Sequence, residues 1–382
     1  MNDINNLNHK ITILHVFHDD KFFDIVADFF MQIPIVNNLF CYYSSEKKAF
    51  KYIKRTDLIT LYREWNDYKY LLSDKNVDII YFHSLPTSKY EYFKYIDPNK
   101  IVIWWCWGYD IYNNDYGLLK AFIELDIVKP LTKGQFYTKT NTLKHIYHSI
   151  KSIFLYSKRK KVLKRIDYFS PVIPLEYQLM KKNKHFNAKP FMLESGPGLF
   201  KQEEFAYREI PQNIIIGNSL TITNNHLDIF KRIQNIYLSK NRNYIVPVNY
   251  GNGIDLNIIK ASTECINAKF KWLESFLNIH EYKIMFQSVT HAIFGHIRQQ
   301  ALGNIHLCLI NGIKIYLYKD SMIYSHLKAR GFYVYTIDND LSELSLNQNL
   351  SKEEALHNYQ LFYRFENNKL EKTILEIENI IK

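Results

Sequence analysis

The order of apolar and amphipathic segments is the feature that most restricts the fold of this chain. Short apolar runs of strand length alternate with stretches of helical periodicity, and the alternation starts afresh near residue 213. The first run is ITILHVF at 11–17, and Lys21–Met31 then has helical periodicity. Strands that alternate with helices favour parallel sheets with right-handed crossovers. The pattern therefore predicts an α/β fold of two Rossmann-like domains that face a central cleft.

The individual elements follow from the same periodicities. Further strands are predicted at Leu39–Tyr43, Val77–His83, Ile101–Trp105, Ile166–Val172, Asn213–Gly217, Tyr244–Asn249, Lys283–Phe286, Ala292–Gly295, Ile313–Tyr318 and Phe332–Ile337. Helices are predicted at Asn225–Tyr237, Asn257–Phe270, Ala301–Asn311, Ser321–Arg330 and Lys352–Ile381. Gly312 and Gly331 follow two of these helices, where a left-handed C-cap favours glycine.

Chain length and turn residues set the domain boundaries. A chain of 382 residues is too long for one ordinary domain and suits two. The sequence ESGPGLF at 194–200 has the glycines and proline of a connection. We therefore expect an N-terminal domain at 1–198, a C-terminal domain at 199–350 and a closing helical segment at 351–382.

Charge and cysteine content narrow the class of protein. Lys and Arg number 49 against 38 Asp and Glu, a net charge of +11, which suits anionic partners such as a membrane face or a diphosphate. Four cysteines without a CxxC pair argue against a zinc site or a disulfide framework and fit a reducing compartment. The first ten residues are polar, and the longest apolar runs are far shorter than the ~20 residues of a spanning helix. A cytoplasmic protein is predicted, either free or bound to a membrane surface.

A basic segment covers residues 127–166, and no acidic residue occurs between Asp126 and Asp167. It combines an apolar stripe with many cations. These cations are Lys129, Lys133, Lys139, Lys144, Lys151, Lys158, Arg159, Lys160, Lys161, Lys164 and Arg165. We expect this segment, and 139–165 above all, to dock on an anionic membrane surface. The alternative is a solvated helix pair that covers the sheet.

Two polar loops of the C-terminal domain are candidate anion sites, because each joins a strand to a helix start. The first runs from Gly217 to His226, and Gly217 permits a tight turn. Its donors and possible helix caps are Asn218, Ser219, Thr221, Thr223, Asn224 and Asn225. An ordinary loop with an asparagine cap explains this segment equally well.

The second polar loop runs from Ile297 to Asn304. Arg298 is predicted to clamp a diphosphate, because a guanidinium binds phosphate oxygens with two parallel N–H groups. Gln299 and Gln300 offer amides to a base, a ribose or a sugar, while Gly303 and Asn304 would let the helix start approach a ligand. The alternative is a surface arginine beside solvated amides.

Two segments of the N-terminal domain offer carboxylates. In Trp104–Tyr112 a tryptophan-rich strand runs into Gly108 and Asp110, and aromatic rings beside a carboxylate suit a sugar. Asp110 is predicted to be a general base, with Asp19 and Asp20 as the other candidates. The alternatives are a core strand with an Asp turn, and a helix N-cap by Asp19 or Asp20.

Metal and dinucleotide sites are not expected. Asp338-Asn-Asp340 matches a metal-binding DxD pattern, but it follows a strand and is predicted to be a turn and cap. The histidines at 280, 291, 296 and 306 lack the spacing of metal ligands. The first strand runs into His-Asp-Asp rather than GxGxxG, which disfavours an NAD enzyme.

Taken together, these segments resemble glycosyltransferase family 56, which acts on the lipid-linked glycan of enterobacterial common antigen. Ala301 stands where the family pattern leads us to expect glycine. The matching residues are Trp107, Gly108, Asp110, Tyr112, Gly217, Asn218, Ser219, Asn224, Asn225, His226, Val246, Pro247, Tyr250, Arg298, Gln299, Gln300 and Gly303.

The resemblance implies a GT-B fold in which the C-terminal domain binds a nucleotide sugar and the N-terminal domain binds the acceptor. It implies a dTDP-linked 4-acetamido-4,6-dideoxy sugar as donor, or a UDP-sugar, and a polyprenyl-diphosphate-linked glycan as acceptor. Tyr250 joins the donor site, and Trp107 and Tyr112 join the acceptor site. No cofactor and no nucleic acid are expected. The alternative is a non-catalytic nucleotide-sugar-binding or scaffold subunit of a polysaccharide assembly complex.

Overall fold

The fold was analysed in a computed structural model, which describes residues 10–18, 20, 22–45, 50, 52–112, 128–132, 155–191, 202 and 204–381. These residues form two compact units. The first unit contains the described parts of 10–112 and 155–191 together with 366–381. The second unit contains 128–132, 202 and 204–365.

The first unit has a seven-stranded sheet in the order β3-β2-β1-β4-β5-β6-β7. Every pair of neighbouring strands is parallel. The strands are β1 (Ile11–Phe17), β2 (Val36–Tyr43), β3 (Ile59–Tyr62), β4 (Ile79–His83), β5 (Ile101–Trp105), β6 (Tyr168–Ser170) and β7 (Lys189–Pro190).

The helices of the first unit come from all three of its chain segments. They are α1 (Phe23–Phe30), α2 (Trp65–Leu71), the 3-10 helix Thr87–Lys94, the single turn α3 (Tyr109–Tyr112), α4 (described over 155–165), α5 (Pro174–Met180) and the last helix of the chain (Lys369–Ile381). The central strands β1 and β4 are buried along their whole length, as strands covered on both faces must be. Phe30 of α1 and Ile377 of the last helix lie in one hydrophobic core with them.

The second unit repeats this plan with six parallel strands in the order β10-β9-β8-β11-β12-β13. The strands are β8 (Asn213–Ile216), β9 (Asn243–Pro247), β10 (Lys269–Leu273), β11 (Val289–Phe294), β12 (Lys314–Leu317) and β13 (Tyr335–Thr336). The helices are α6 (His226–Ile233), α7 (Leu256–Ala261), α8 (Ile279–Gln287), α9 (Leu302–Ile310), α10 (Met322–Ala329), α11 (Glu343–Leu346) and α12 (Lys352–Asn367). The last helix, Lys369–Ile381, is α13.

The strand order places one topological switch point in each sheet. The order reverses between β1 and β4 in the first unit and between β8 and β11 in the second. Ligands of open α/β sheets bind beyond the carboxyl ends of the strands at such a point. The residues that follow these four strands are therefore the first place to look for chemistry.

The prediction of two parallel α/β domains is confirmed, although some elements differ from their predicted form. Lys283–Phe286 lies within helix α8, so the predicted strand is wrong. The predicted helix Asn257–Phe270 ends at Ala261, and its last residues begin β10. The short strand β3 was not predicted. Gly312 and Gly331 have φ values of 62° and 89°, which confirms the left-handed conformation predicted for them. Among the described residues, no helix is long and apolar enough to span a bilayer.

Candidate functional site

The polar loop after β8 begins with a glycine that no other residue can replace without strain. Gly217 has φ 69°, a left-handed conformation that a side chain disfavours. A Cβ atom built there would lie 2.5 Å from Nε2 of His226, which is too close for any real contact. The loop therefore folds back on the first residue of α6.

Asn224 holds this loop together from inside. Its side chain is fully buried, and its amide Nδ2 donates to the Ser219 carbonyl at 2.8 Å and to the Ser219 hydroxyl at 2.9 Å. Its Oδ1 accepts from the Asn218 backbone N–H at 3.1 Å. Because these bonds occupy the amide, Asn224 shapes the loop and presents Ser219 and Asn218.

Asn225 ties the same loop to β11. Its Nδ2 donates to the carbonyl of Gly295 at 2.6 Å, and its Oδ1 accepts from the Lys129 N–H at 2.7 Å. It has φ 51°, and its side chain makes no cap bond to α6, so the alternative of a cap by Asn225 is not observed. The side chain of Asn225 therefore satisfies none of the N–H groups at the start of this eight-residue helix.

A chain of side-chain hydrogen bonds joins the loops that follow β8, β9 and β11. Asn218 Nδ2 donates to the Tyr250 hydroxyl at 2.9 Å, and Gln300 Nε2 donates to Asn218 Oδ1 at 2.9 Å. Gln300 Oε1 accepts from the Thr223 hydroxyl at 2.6 Å and from Arg298 Nε at 3.2 Å. The structure thus brings together five residues that lie far apart in the sequence.

The remaining predicted residues of the β11 loop are less central. Gln299 is half-buried, and Asn304 donates to the Tyr282 hydroxyl at 3.0 Å. A Cβ atom at Gly303 would meet nothing within 4 Å, so no protein atom requires glycine here, and the close approach of a ligand to this helix start stays a prediction. Ala301, by contrast, has φ 58° at the N-cap of α9, which explains why glycine is expected there.

Two buried histidines line this edge of the sheet. Burial lowers the pKa of His226 to about 4. Burial, and secondly the charge of Arg298, lowers the pKa of His296 to about 3. Both rings are therefore neutral near pH 7. The sequence analysis gave His296 no role, although its position two residues after β11 marks it as part of the loop.

In the first unit, Asp110 connects the ends of two strands. Its Oδ2 accepts from the Trp104 indole N–H at 2.7 Å and from the Leu85 N–H at 2.9 Å, and its Oδ1 accepts from the Trp107 N–H at 3.0 Å. Burial raises the pKa of Asp110, and these three donors oppose that effect. The carboxylate holds the loops after β4 and β5 together, and its role as a base stays a prediction.

Tyr112 and Glu176 lie behind Asp110. Tyr112 is fully buried, and a hydrogen bond from its hydroxyl lowers the pKa of the Glu176 carboxyl. Burial raises the pKa of Glu176 to about 7, against the opposing effects of the Ile173 N–H and then Tyr112. Trp107 is half-buried and packs edge-on against Phe22, with ring centroids 4.6 Å apart. Of the two predicted acceptor residues, Trp107 is therefore the nearer to solvent.

Of the two predicted carboxylates after β1, the structure describes Asp20. Asp20 is half-exposed and accepts from the Tyr52 N–H at 3.3 Å. Asp19 lies outside the described residues. Helix α1 begins without a side-chain cap bond, so the alternative of an N-cap by Asp20 is not observed.

The described part of the basic segment divides into structural and exposed cations. Arg159 is buried and donates to the Asp110 carbonyl at 3.3 Å. Arg165 donates to Asp167 at 2.7 Å and to nearby carbonyls. Lys161 and Lys164 are exposed on the same face of α4. Residues 133–154 lie outside the described part of the chain.

Two other features of the described residues are the DxD pattern at 338–340 and a cavity in the second unit. No group of three or more potential metal ligands occurs among the described residues. Asp338 and Asp340 accept backbone N–H groups at 2.7 Å and 2.6 Å, as the predicted turn requires. A cavity of about 690 Å³ lies beside Lys314 and Tyr335 at the amino ends of β12 and β13. That edge is opposite to the polar loops, so we give it no part in the chemistry.

Comparison with solved structures agrees with this architecture. No family model and no curated protein matches the sequence. Sucrose-phosphate synthase from Thermosynechococcus elongatus is 8% identical, with a TM-score of 0.63 over 97% of this chain and 100% of that one. The lipopolysaccharide outer core galactosyltransferase WaaB is 10% identical, with a TM-score of 0.57 over 98% and 99%. OtsA is 9% identical, with a TM-score of 0.54 over 98% of each chain. The chain therefore has a GT-B type fold.

Proposed function

We propose that this protein is a glycosyltransferase that moves a sugar from a nucleoside diphosphate to a glycan. The observation that carries the proposal is the hydrogen-bonded chain Tyr250–Asn218–Gln300–Arg298 at the switch point of the second sheet. It presents amide and guanidinium donors beside an α6 start without a side-chain cap, and such an arrangement suits an anionic phosphate. The likeness to GT-B enzymes adds the class of ligand.

In this proposal the second unit binds the nucleotide sugar. As the bond between the anomeric carbon and the diphosphate breaks, negative charge grows on the leaving oxygen. Arg298 and the N–H groups of the 217–226 loop stabilise that charge, which is the task of a metal ion in other transferases. His226 and His296 stay neutral, and they add no charge to the site.

The finer parts of the proposal concern the substrates. The resemblance to glycosyltransferase family 56 supports a dTDP-linked 4-acetamido-4,6-dideoxy sugar, or a UDP-sugar, and a polyprenyl-diphosphate-linked glycan of the common-antigen or O-antigen type. The exposed Lys161 and Lys164 of α4 support peripheral docking on the anionic cytoplasmic face of the inner membrane. No metal ion or cofactor is part of this proposal.

The first experiment is thermal stabilisation by dTDP, UDP, GDP and NAD in buffer that contains a metal chelator. We expect dTDP or UDP to raise the Tm selectively, because ligand that binds only the folded state stabilises it by mass action. The Arg298→Ala variant should lose that shift and lower transfer about 100-fold. Arg232→Ala is the matched control, since Arg232 donates to the Ile337 and Leu341 carbonyls instead. A wild-type protein that responds to none of the nucleotides removes the donor site.

The rival function is a non-catalytic subunit that binds a nucleotide sugar. One observation favours it: the Asp110 carboxylate accepts hydrogen bonds from three N–H donors of the protein rather than from a substrate. The two functions can be distinguished by whether the protein releases dTDP or UDP from the corresponding sugar nucleotide. Stoichiometric binding without any release, in the presence of a lipid-linked glycan, supports the rival.

A further inference from the structure

Three neighbouring strands of the first sheet end in residues that share one face. The register pairs His83 of β4 with Trp105 of β5, and Trp105 with Ser170 of β6. His83 also pairs with Phe17 of β1, across the switch point of this sheet. Paired residues of parallel strands point to the same side, so the four side chains form one row at the carboxyl edge.

A buried chain of hydrogen bonds fixes the protons in this row. Asn38 Nδ2 donates to the Phe30 carbonyl, so Asn38 Oδ1 must be an acceptor. His15 Nε2 is 2.9 Å from Asn38 Oδ1 and therefore carries the proton that it donates. His15 Nδ1 is then a lone pair, and it accepts from His83 Nε2 at 2.9 Å.

This chain leaves His83 Nδ1 as a bare lone pair, because a neutral imidazole has one N–H and His83 uses it toward His15. Burial, with the neighbouring His15 as a smaller cause, holds the pKa of His83 well below its ordinary value, so the ring is neutral. His83 Nδ1 is buried and has no hydrogen-bond partner within the described chain.

The neighbouring position supplies the complementary group. Among the described residues, the indole N–H of Trp105 is likewise buried without an acceptor, and so is that of Trp107. The hydroxyl of Ser170 lies near that of Tyr81 without forming a hydrogen bond of normal geometry. A lone pair, two N–H donors and a hydroxyl thus line one edge, and buried polar groups are normally satisfied.

A row of rings leads from these atoms to the surface. The His83 ring lies edge-on to Trp105 at 5.5 Å, Trp105 contacts Trp107 at 4.8 Å, and Trp107 contacts Phe22 at 4.6 Å. Phe22 is exposed. Trp107 and Phe22 therefore lie between these atoms and the surface.

We propose that His83, Trp105 and Ser170 form a binding subsite for a hydroxyl group of the acceptor sugar. A hydroxyl donates one hydrogen bond and accepts others, so it fills the lone pair of His83 and the N–H of Trp105 together. The groups are neutral and aromatic, which suits an uncharged sugar ring and not a phosphate. This inference rests on the proposed function, and it gives His83 the part of a hydrogen-bond acceptor and not that of a base.

The test reads the five tryptophan indole N–H signals by NMR in the wild-type protein. Trp105→Phe, Trp107→Phe and Trp272→Phe assign three of them. The probes are the methyl glycosides of glucose, galactose and N-acetylglucosamine, titrated separately. We expect at least one glycoside to move the Trp105 signal, with a smaller movement at Trp107. The Trp272 signal, from the outer strand of the second sheet, should stay in place.

A pair of serine variants ties the response to this subsite. Ser170→Ala removes one oxygen from the row and should raise the Kd of the responding glycoside about 10-fold. Ser288→Ala removes the same atom at the amino end of β11 in the second unit and should leave that Kd unchanged. Equal effects of the two variants would overturn the assignment to Ser170.

The remaining outcomes separate this inference from the proposed function. A Trp105 signal that exchanges with bound water and moves with none of the glycosides shows an ordered water only, and overturns the subsite. If dTDP or UDP stabilises the protein in that case, the glycosyltransferase proposal survives alone. If the glycosides move Trp105 but no nucleotide stabilises the protein, the subsite stands and the transferase falls.

Discussion

The two units build the same strand order and finish their switch points in opposite ways. In the second unit the Gln300 side chain donates to the Asn218 side chain, and the Asn224 side chain accepts from the Asn218 backbone N–H. In the first unit the corresponding edge ends in His83 and Trp105, which carry buried polar atoms without partners among the described residues. In the second unit the loop amides are therefore held before a ligand arrives, although His226 and His296 also carry buried ring nitrogens without partners among the described residues.

The difference teaches what each unit can bind. A network of bonded amides holds its donors in fixed directions, which suits a charged phosphate that must be recognised without reorganisation. An incomplete and aromatic edge gains hydrogen bonds only when a neutral polar group enters. A shared fold thus says little about the ligand, and the atoms beyond the strands decide it.

The largest expected effect comes from Gly217→Ala in the second unit. The new Cβ would meet His226 Nε2 at 2.5 Å in a backbone conformation with φ 69°, so the His226 ring and the loop must shift. We expect a loss of about 4 kcal/mol of stability and at least a 100-fold loss of nucleotide affinity. Urea unfolding and nucleotide titration measure the two effects. Gly303→Ala, where the added atom has open space, is the control for stability and should fold normally. Normal nucleotide binding by Gly217→Ala would show that the edge of the second unit is not prebuilt.

The second prediction concerns pH and the first unit. Burial raises the pKa of Glu176 from 4.5 to about 7, so the folded state holds a proton that the unfolded state has lost. The stability from this group is complete below pH 4.5 and disappears as pH rises through 7, a change of about 3 kcal/mol. Glu176→Gln should therefore weaken the fall in unfolding free energy between pH 5 and pH 8. Trp65, Trp104, Trp105 and Trp107 lie in the first unit, so tryptophan fluorescence follows it. Parallel pH profiles for wild type and variant would contradict the prediction.

The third prediction distinguishes a structural Asp110 from a catalytic one. Asp110→Asn points an amide N–H at a position where backbone and indole N–H groups already donate. We expect a loss of about 2 kcal/mol in the first unit and unchanged nucleotide binding by the second. Chemical unfolding followed by tryptophan fluorescence checks the first part, and nucleotide titration checks the second. A variant with full stability and no transfer would instead support the predicted general base.

The smallest expected effect is that of Ala301→Gly at the start of α9. Ala301 has φ 58°, and glycine relieves that strain while adding freedom to the unfolded chain. We expect a net gain of about 0.5 kcal/mol, measured by the urea midpoint. Ala301→Val should destabilise the protein, because a β-branched residue tolerates positive φ poorly. If Gly and Val are equivalent at this position, α9 does not impose the left-handed start.

Most of the strands could be predicted because their apolar runs are long and clearly bounded. Ile11–Phe17 and Ile101–Trp105 are buried strands, as their β-branched and aromatic residues indicate. Helix α8 was mistaken for a strand, although Asn278 and Glu281 form a capping box that the sequence displays. The short edge strand β3 has no fully buried residue, so it lacks the apolar signal of the others.

The candidate site divides in the same way. Its loops could be predicted, because polar residues at the ends of apolar runs are visible in one dimension. The hydrogen-bond partner of each side chain could not be predicted. Asn225 was one of two possible caps of α6, but its amide donates to the carbonyl of Gly295, seventy residues further along the chain. The pairing of His83 with Trp105 depends on strand register, which the sequence of one strand does not contain.

Helix α13 affects the order in which the two units complete their folding during synthesis. Its Ile377 fills the hydrophobic core of the first unit, although the intervening residues build the second. During synthesis the early strands leave the ribosome long before this helix exists. Part of the core of the N-terminal unit therefore stays uncovered until α13 emerges, after the residues of the second unit, and the usual N-to-C order of domain completion is reversed. Premature termination anywhere in α13 harms the first unit rather than the adjacent one.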